Sequence, residues 1–309
     1  MQMTVYFIFL DGVGLGLDEP AINPLASNPM PKLSQMLGGV RLLGGVAPVH
    51  TTKASLLALD ANLGVAGLPQ SATGQAVLIT GTNVPAKIGY HYGPKPDPAT
   101  AAHLNGGGLF GALTRNGKRV RFLNAYPQRY FDTIENGKHL YSSFPQAAVN
   151  GGVALLTADD LRSGIAVSAD ITGAGWAEHL GVYDIQTQQP EQVGRNIAET
   201  CNGLHLAFFE YWSTDYAGHK QDMPAALAML AQIDDMLAGL AHHMGTNDLI
   251  LVTSDHGNME DLAVRRHTAN PVPLVLIGSQ KARQPFLQAG NLADVTPGIL
   301  QALGLPGQV

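Results

Sequence analysis

The sequence predicts an α/β protein, a doubly wound and mostly parallel sheet flanked by helices, with a smaller inserted cap domain. Three apolar, β-rich runs end in acids and turn residues: VYFIFL (5–10) into Asp11-Gly12, LHLAFFE (204–210) leading toward Asp215, and LILVT (249–253) into Asp255-His256-Gly257. Such runs are the pattern of central strands buried on both faces, and helical spacing between them gives the alternation of an α/β fold. Ligands of open α/β sheets bind beyond the carboxyl ends of the strands, so all three acids are expected along one edge.

Taken in chain order, MQMTVYFIFL lacks the basic start and small-residue cleavage site of a secretory leader and runs into Asp11, so it reads as a buried strand. LPQSATGQ precedes the apolar AVLIT, which places Ser71 at the start of a helix. From about Gly89 the texture changes to loop-rich sequence (HYGPKPDP, LNGGGLFG), and no strand-then-acid unit recurs until about Cys201. Residues 92–202 are therefore expected to form the cap, with a strand signal at 120–123, and residues 1–91 and 203–309 the core. Within 224–244, Leu227, Leu230, Ile233 and Leu237 keep helical spacing behind Pro224. A strand is expected at 272–277 and a last helix at 292–303.

Composition narrows the class. With 309 residues, 45% of them hydrophobic and no block of like charge, the chain can bury a large core and is not a disordered tail protein. A net charge of −6 argues against a nucleic-acid partner. No apolar run reaches the roughly 18 residues of a membrane span. The single cysteine, Cys201, allows no internal disulfide and no thiolate-rich zinc site, so a soluble cytoplasmic protein of unspecified oligomeric state is expected.

Eleven histidines stand in this lightly charged chain, and three of them fall beside the strand-end acids. Asp215 and His219 lie four apart, Asp255 and His256 are adjacent, and His267 precedes Asn270-Pro271-Val272-Pro273. With Asp11 they make three carboxylates and three imidazoles, enough oxygen and nitrogen ligands for two divalent metals. Each piece has a plainer reading: Asp-Gly as a turn, the Asp215 and His219 spacing as a surface pair, His267 as an ordinary loop residue. Their shared edge favours a two-metal site, and two metals can clamp the attacking and leaving oxygens of a displacement at phosphorus. Ser71 is the candidate nucleophile, placed where a helix N-terminus favours an anion. It could equally serve as a helix cap, and Thr73 competes on the same turn.

The elements FLDGVG, QSATGQ, DYAGH, SDHGNMED, HTANPVPLV and LADVTPGILQALGL, in this order, resemble the alkaline phosphatase superfamily, most closely its cofactor-independent phosphoglycerate mutase and phosphopentomutase branch. The resemblance covers residues 1 to about 90 and about 203 to 305. It implies one metal held by Asp215, His219 and His267 and a second by Asp11, Asp255 and His256. Ser71 would then be the metal-bound nucleophile that forms a phosphoserine, with Asn258 orienting the site. Mn or Zn suits such ligands. Phosphoglycerate mutases of this branch usually have His where this chain has Gln75, and carry a longer insertion with an arginine-rich substrate site. Here the candidate contacts to a substrate phosphate are Lys95, Arg129, Arg162, Arg265 and Arg266. The expected function is phosphomutase or phosphomonoesterase action on a small phosphorylated metabolite. The alternatives are a phosphodiesterase, phosphonate hydrolase or sulfatase of the same superfamily, or a non-catalytic metal-binding protein.

Overall fold

Residues 3–308 are described by the computed structural model. Among the described residues nine strands occur in chain order: β1 (Val5–Leu10), β2 (Val49–His50), β3 (Ala54–Leu59), β4 (Val120–Phe122), β5 (Ala125–Tyr126), β6 (Leu156–Thr157), β7 (Leu206–Tyr211), β8 (Leu249–Thr253) and β9 (Val272–Gly278). Seven of them form one sheet in the order β2-β3-β9-β8-β1-β7-β4, and β5 pairs β6 separately. The centre β8-β1-β7-β4 is parallel, and β9 enters antiparallel between β8 and β3. β1, β7 and β8 thus end at the edge where β9 begins, and this brings the acids after three strands and His267 before a fourth to one place.

The central strands are apolar because both of their faces are covered. Along β1, Tyr6, Ile8 and Leu10 face one layer of the core while Val5, Phe7 and Phe9 face the other, all at most 1% exposed. Each such side chain stabilises the fold by roughly 2 kcal/mol through burial. The first layer is closed by the helices Pro31–Met36, Pro190–Thr200 and Met223–His243, the second by Ser71–Thr80, Gly108–Arg115, Ser143–Asn150 and Val295–Ala302.

The long helix expected at 224–244 runs over Met223–His243, started by Asp222, whose side chain accepts from the Ala225 N–H. By length and composition it could cross a membrane. Its Ala226, Leu230, Ile233, Met236, Leu237 and Leu240 are instead buried in the first layer. The last helix begins later than expected, at Val295, because Asn291 and Asp294 form a capping box over the short turn Leu292–Asp294.

The stretch 92–202 does not stand apart as one body. β4 is a strand of the main sheet, Gly108–Arg115 and Ser143–Asn150 belong to its second layer, and Pro190–Thr200 belongs to its first. What is separate is a small cluster of Ala125, Leu161, Ala166 and Trp176 around β5 and β6. Trp176 Nε1 donates to Ser168 Oγ there at 3.0 Å. The expected boundary therefore encloses core elements, which join the sheet through pairings distant in sequence, such as Phe122 with Phe208.

Candidate metal centre

Asp11 follows β1 directly, held where its own carbonyl accepts from Thr214 Oγ1 at 2.5 Å and its N–H donates to Tyr211 O at 3.0 Å. Asp215 and His219 lie on the helix Ser213–Lys220 that follows β7, one turn apart and so on one face. Gly12 lets this helix approach, since a Cβ there would lie 2.6 Å from Asp215 Oδ1 and its φ of +66° is left-handed. Asp255 and His256 follow β8, both fully buried. Ser254 braces them: its hydroxyl donates to His256 O at 3.0 Å and accepts from the Val13 N–H at 2.9 Å.

Ser71 is the first residue of the helix Ser71–Thr80, and Gln70, not Ser71, is its N-cap. The reading of Ser71 as a mere cap is thereby replaced. Its hydroxyl lies 3.0 Å from His256 Nε2, which is 3.4 Å from Asp11 Oδ1 and 3.7 Å from Asp255 Oδ2. Beside this group, Asp215 Oδ2 is 3.2 Å from His219 Nε2, and His267 Nε2 is 3.3 Å from His219 Nε2 and 3.7 Å from Asp215 Oδ1. The rings of His256 and His267 stack at 3.7 Å and 14° and join the two groups. Ligand atoms of Asp215, His256 and His267 lie within 4.8 Å of one another, as do those of Asp11, Asp255 and His256.

The histidines are turned so that Nε2 faces the centre. His219 Nδ1 meets Arg265 O at 2.7 Å, and His267 Nδ1 meets Pro69 O at 2.8 Å. A carbonyl partner fixes the proton on Nδ1 and leaves the Nε2 lone pair inward, as a metal ligand requires. Burial, reinforced by His267, holds His256 well below the usual imidazole range, so its contacts with the acids are not ion pairs. Burial likewise lowers His267.

The carboxyls are pushed the other way. Burial first, and then the neighbouring acids, raise Asp11 and Asp255 well above the usual carboxylate range. Among the described residues, Asp11 Oδ1 and Asp255 Oδ2 are buried with no hydrogen-bond partner, as are Asn258 Oδ1 and Gln75 Oε1. Buried acceptors normally find partners, and like charges packed together cost free energy unless a cation intervenes. Unsatisfied carboxylate oxygens, inward imidazole lone pairs and no thiolate are the donor set of a divalent-metal site.

The remaining expected residues divide. Asn258 Nδ2 donates to Asp215 Oδ1 at 2.6 Å and orients that carboxylate. Thr73 is committed elsewhere: its hydroxyl lies 3.2 Å from Gln70 O, 3.3 Å from Tyr92 O and 3.1 Å from Tyr92 N, tying down the loop at 92. Among the described residues, none of the five candidate cations has a side-chain hydrogen bond or ion pair to a residue of the cluster. Lys95 donates to Leu140 O, Arg162 pairs with Asp159 and Asp184, and Arg265 donates to Gln221 Oε1. Arg129 and Arg266 are exposed.

Sequence reasoning missed Glu260, 1% exposed, which accepts from the N–H groups of Gly14 and Asn258 at 2.9 and 2.8 Å, from Asn270 Nδ2 at 3.0 Å and from Thr268 Oγ1. It clamps the loops that carry Asp11, Asp255 and His267 to one another. Its position inside SDHGNMED was the available signal.

A model of the metalloenzyme superfamily matches residues 177–307, a stretch that includes Asp215, His219, Asp255, His256 and His267. The 2,3-bisphosphoglycerate-independent phosphoglycerate mutase of Desulforudis audaxviator is 32% identical over 135 residues, 40% of this chain and 26% of that protein. The protein of the same name from Cereibacter sphaeroides (strain ATCC 17025) is 26% identical over 254 residues, 74% of this chain and 46% of that protein. The chain thus spans less than half the length of these relatives. Among solved structures, Thermus thermophilus alkaline phosphatase superposes with a TM-score of 0.56 at 14% identity over 99% of this chain and 92% of the other. Leishmania mexicana phosphoglycerate mutase does so with a TM-score of 0.51 at 12% identity over 99% and 96%. The resemblance read from the motifs is borne out, and the fold is alkaline-phosphatase-like.

Proposed function

We propose that a chain with this fold and this cluster is a metal-dependent phosphotransfer enzyme, a phosphomutase or phosphomonoesterase that works through Ser71 on a small phosphorylated metabolite. Asp215, His219 and His267 would hold one divalent ion, and Asp11, Asp255 and His256 the other beside Ser71; Mn or Zn suits these ligands. The observation that carries the reading is the Ser71 hydroxyl 3.0 Å from His256 Nε2, inside a group of buried carboxyls with unsatisfied oxygens.

Bound divalent ions would lower the pKa of the Ser71 hydroxyl and offset the charge that develops on phosphoryl oxygens. Ser71 Oγ, giving up its proton, would bond to phosphorus as the bond between phosphorus and the substrate's ester oxygen breaks and that oxygen leaves, protonated, as the alcohol; the N-terminus of the ten-residue Ser71 helix favours the anion delivered there. Asn258 keeps Asp215 in place, and Glu260 keeps the ligand loops in register, so the site is organised before substrate arrives. Return of the phosphoryl group to a substrate oxygen gives a mutase, and transfer to water gives a phosphatase. The lone cysteine, Cys201, is buried and free, which suits a reducing compartment such as the cytoplasm.

The test is Ser71→Ala, assayed on phosphomonoesters and sugar phosphates with Mn²⁺ or Zn²⁺ added. Turnover is expected to fall at least about a thousandfold with metal content nearly unchanged. Retained turnover would sink the covalent mechanism.

A further inference from the structure

Glu260 is buried, and neutral donors fill its hydrogen-bonding positions. Oε2 accepts from the Gly14 N–H at 2.9 Å and the Asn258 N–H at 2.8 Å, and Oε1 accepts from Asn270 Nδ2 at 3.0 Å and from Thr268 Oγ1. A carboxylate offers about four such positions, so none is left over for an ion and Glu260 acts as a strut. The space is made to fit, since a Cβ at Gly14 or at Gly257 would collide with its carboxyl oxygens. Each bond ends close to a proposed metal ligand: Gly14 lies shortly after Asp11, Asn258 shortly after His256, and Thr268 directly after His267. Asn258 carries the link further, because its side chain donates to Asp215 Oδ1 at 2.6 Å and to Asp215 O at 3.2 Å. Among the described residues no other side chain bonds to the loops after β1, after β8 and before β9 at once. Ser254 reaches only the first two.

Both ligand groups are thereby tied to one carboxyl: Asp215 and His267 of the first, Asp11 and the Asp255-His256 turn of the second. The acids of this edge repel one another until a cation intervenes, so the first ion to bind orders its own ligand loops. Through Glu260 the same ordering reaches the loops of the other group, and the second ion no longer meets that cost. His256 adds a shared contact, since its ligand atoms lie within 4.8 Å of those of Asp215 and His267 and of those of Asp11 and Asp255. We infer that Glu260 is a positioning residue that couples the two ion sites, so that filling one site tightens binding at the other. This rests on the two-metal reading above.

The test is calorimetric titration of the metal-free full chain with Mn²⁺ or Zn²⁺ alone, in the parent, Asp11→Asn, Glu260→Ala and the double variant. In the parent background Asp11→Asn is expected to remove one ion and to weaken the remaining one about tenfold. In the Glu260→Ala background the same change is expected to weaken the remaining ion less than about twofold. A strut that only stabilised the fold would lower both affinities and leave the tenfold step intact, and that result overturns the coupling while the two-metal reading stands. Glu260→Gln is expected to keep the step, because its amide oxygen can still take both backbone N–H groups and its NH₂ can donate to the Thr268 hydroxyl. Should Glu260→Ala not fold, Thr268→Val removes the donor beside His267 with the carboxyl in place. A step of about threefold or less then supports the coupling, and an unchanged step overturns it. A parent that binds fewer than two ions overturns the coupling and the two-metal reading together. Turnover is not read, so an inactive chain with a coupled pair of ions would sink the phosphotransfer reading alone.

Discussion

Buried hydroxyls in this fold mostly do structural work, and Ser71 differs from them in what it touches. Thr73 and Thr214 spend their hydroxyls on backbone carbonyls, whereas the Ser71 hydroxyl meets only an imidazole nitrogen with a free lone pair. Glu210, on β7 and only 5% exposed, is the other residue whose environment has a measurable consequence. Its pKa is about 8 in the fold against an ordinary 4.5, so between those values the folded chain holds a proton that the unfolded chain has released. Stability from this source is fully present below pH 4.5 and is lost as pH rises toward 8. Glu210→Gln should therefore lose less stability than the parent between pH 5 and 8, by a few kcal/mol in urea denaturation of metal-free protein. Equal losses in the two proteins would show that Glu210 is not buried as described. Asp11, Asp215, His219, Asp255, His256 and His267 were legible in the sequence because strand ends are. Glu260 was not: it acts through backbone groups such as the Gly14 N–H, far away in the chain. Arg265 does lie beside the site, its carbonyl 2.7 Å from His219 Nδ1, while its side chain donates to Gln221 Oε1.

At the scale of elements, the site depends on how closely the Ser71 helix lies on the loop after β8. A Cβ at Gly74 would come 2.9 Å from both Asp255 Cβ and Asp255 O, so any side chain there pushes the helix off the ligand loop. Gly74→Ala gains about 1 kcal/mol of helix propensity and loses about 1–3 kcal/mol to overpacking, so the clash wins. Turnover should fall roughly a hundredfold, because a displacement of about 1 Å is enough to spoil alignment. A variant as active and as stable as the parent would mean that this contact does not position Ser71. The strands β1, β7, β8 and β9 were legible from their apolar runs, and the long helix from its spacing. The extent of the insertion was not, because β4 and the helices Ser143–Asn150 and Pro190–Thr200 reach the core through long-range packing that leaves no local mark in a loop-rich stretch.

Over the whole molecule, a net charge of −6 coexists with three acids crowded at one sheet edge, two of them buried. Alone, that crowding destabilises the fold, and two divalent ions would add four positive charges there and turn an acidic protein into a locally cationic site for phosphate. Binding would also stabilise the folded chain by mass action. The most direct measurement is the metal content per chain, by elemental mass spectrometry after equilibration with Mn²⁺ or Zn²⁺ and dialysis, in the parent and in Asp11→Asn, Asp215→Asn and Ser71→Ala. The account predicts about two ions in the parent, about one in each aspartate variant and about two in Ser71→Ala. A parent that binds a single ion, or an Asp11→Asn variant that keeps both, would contradict it.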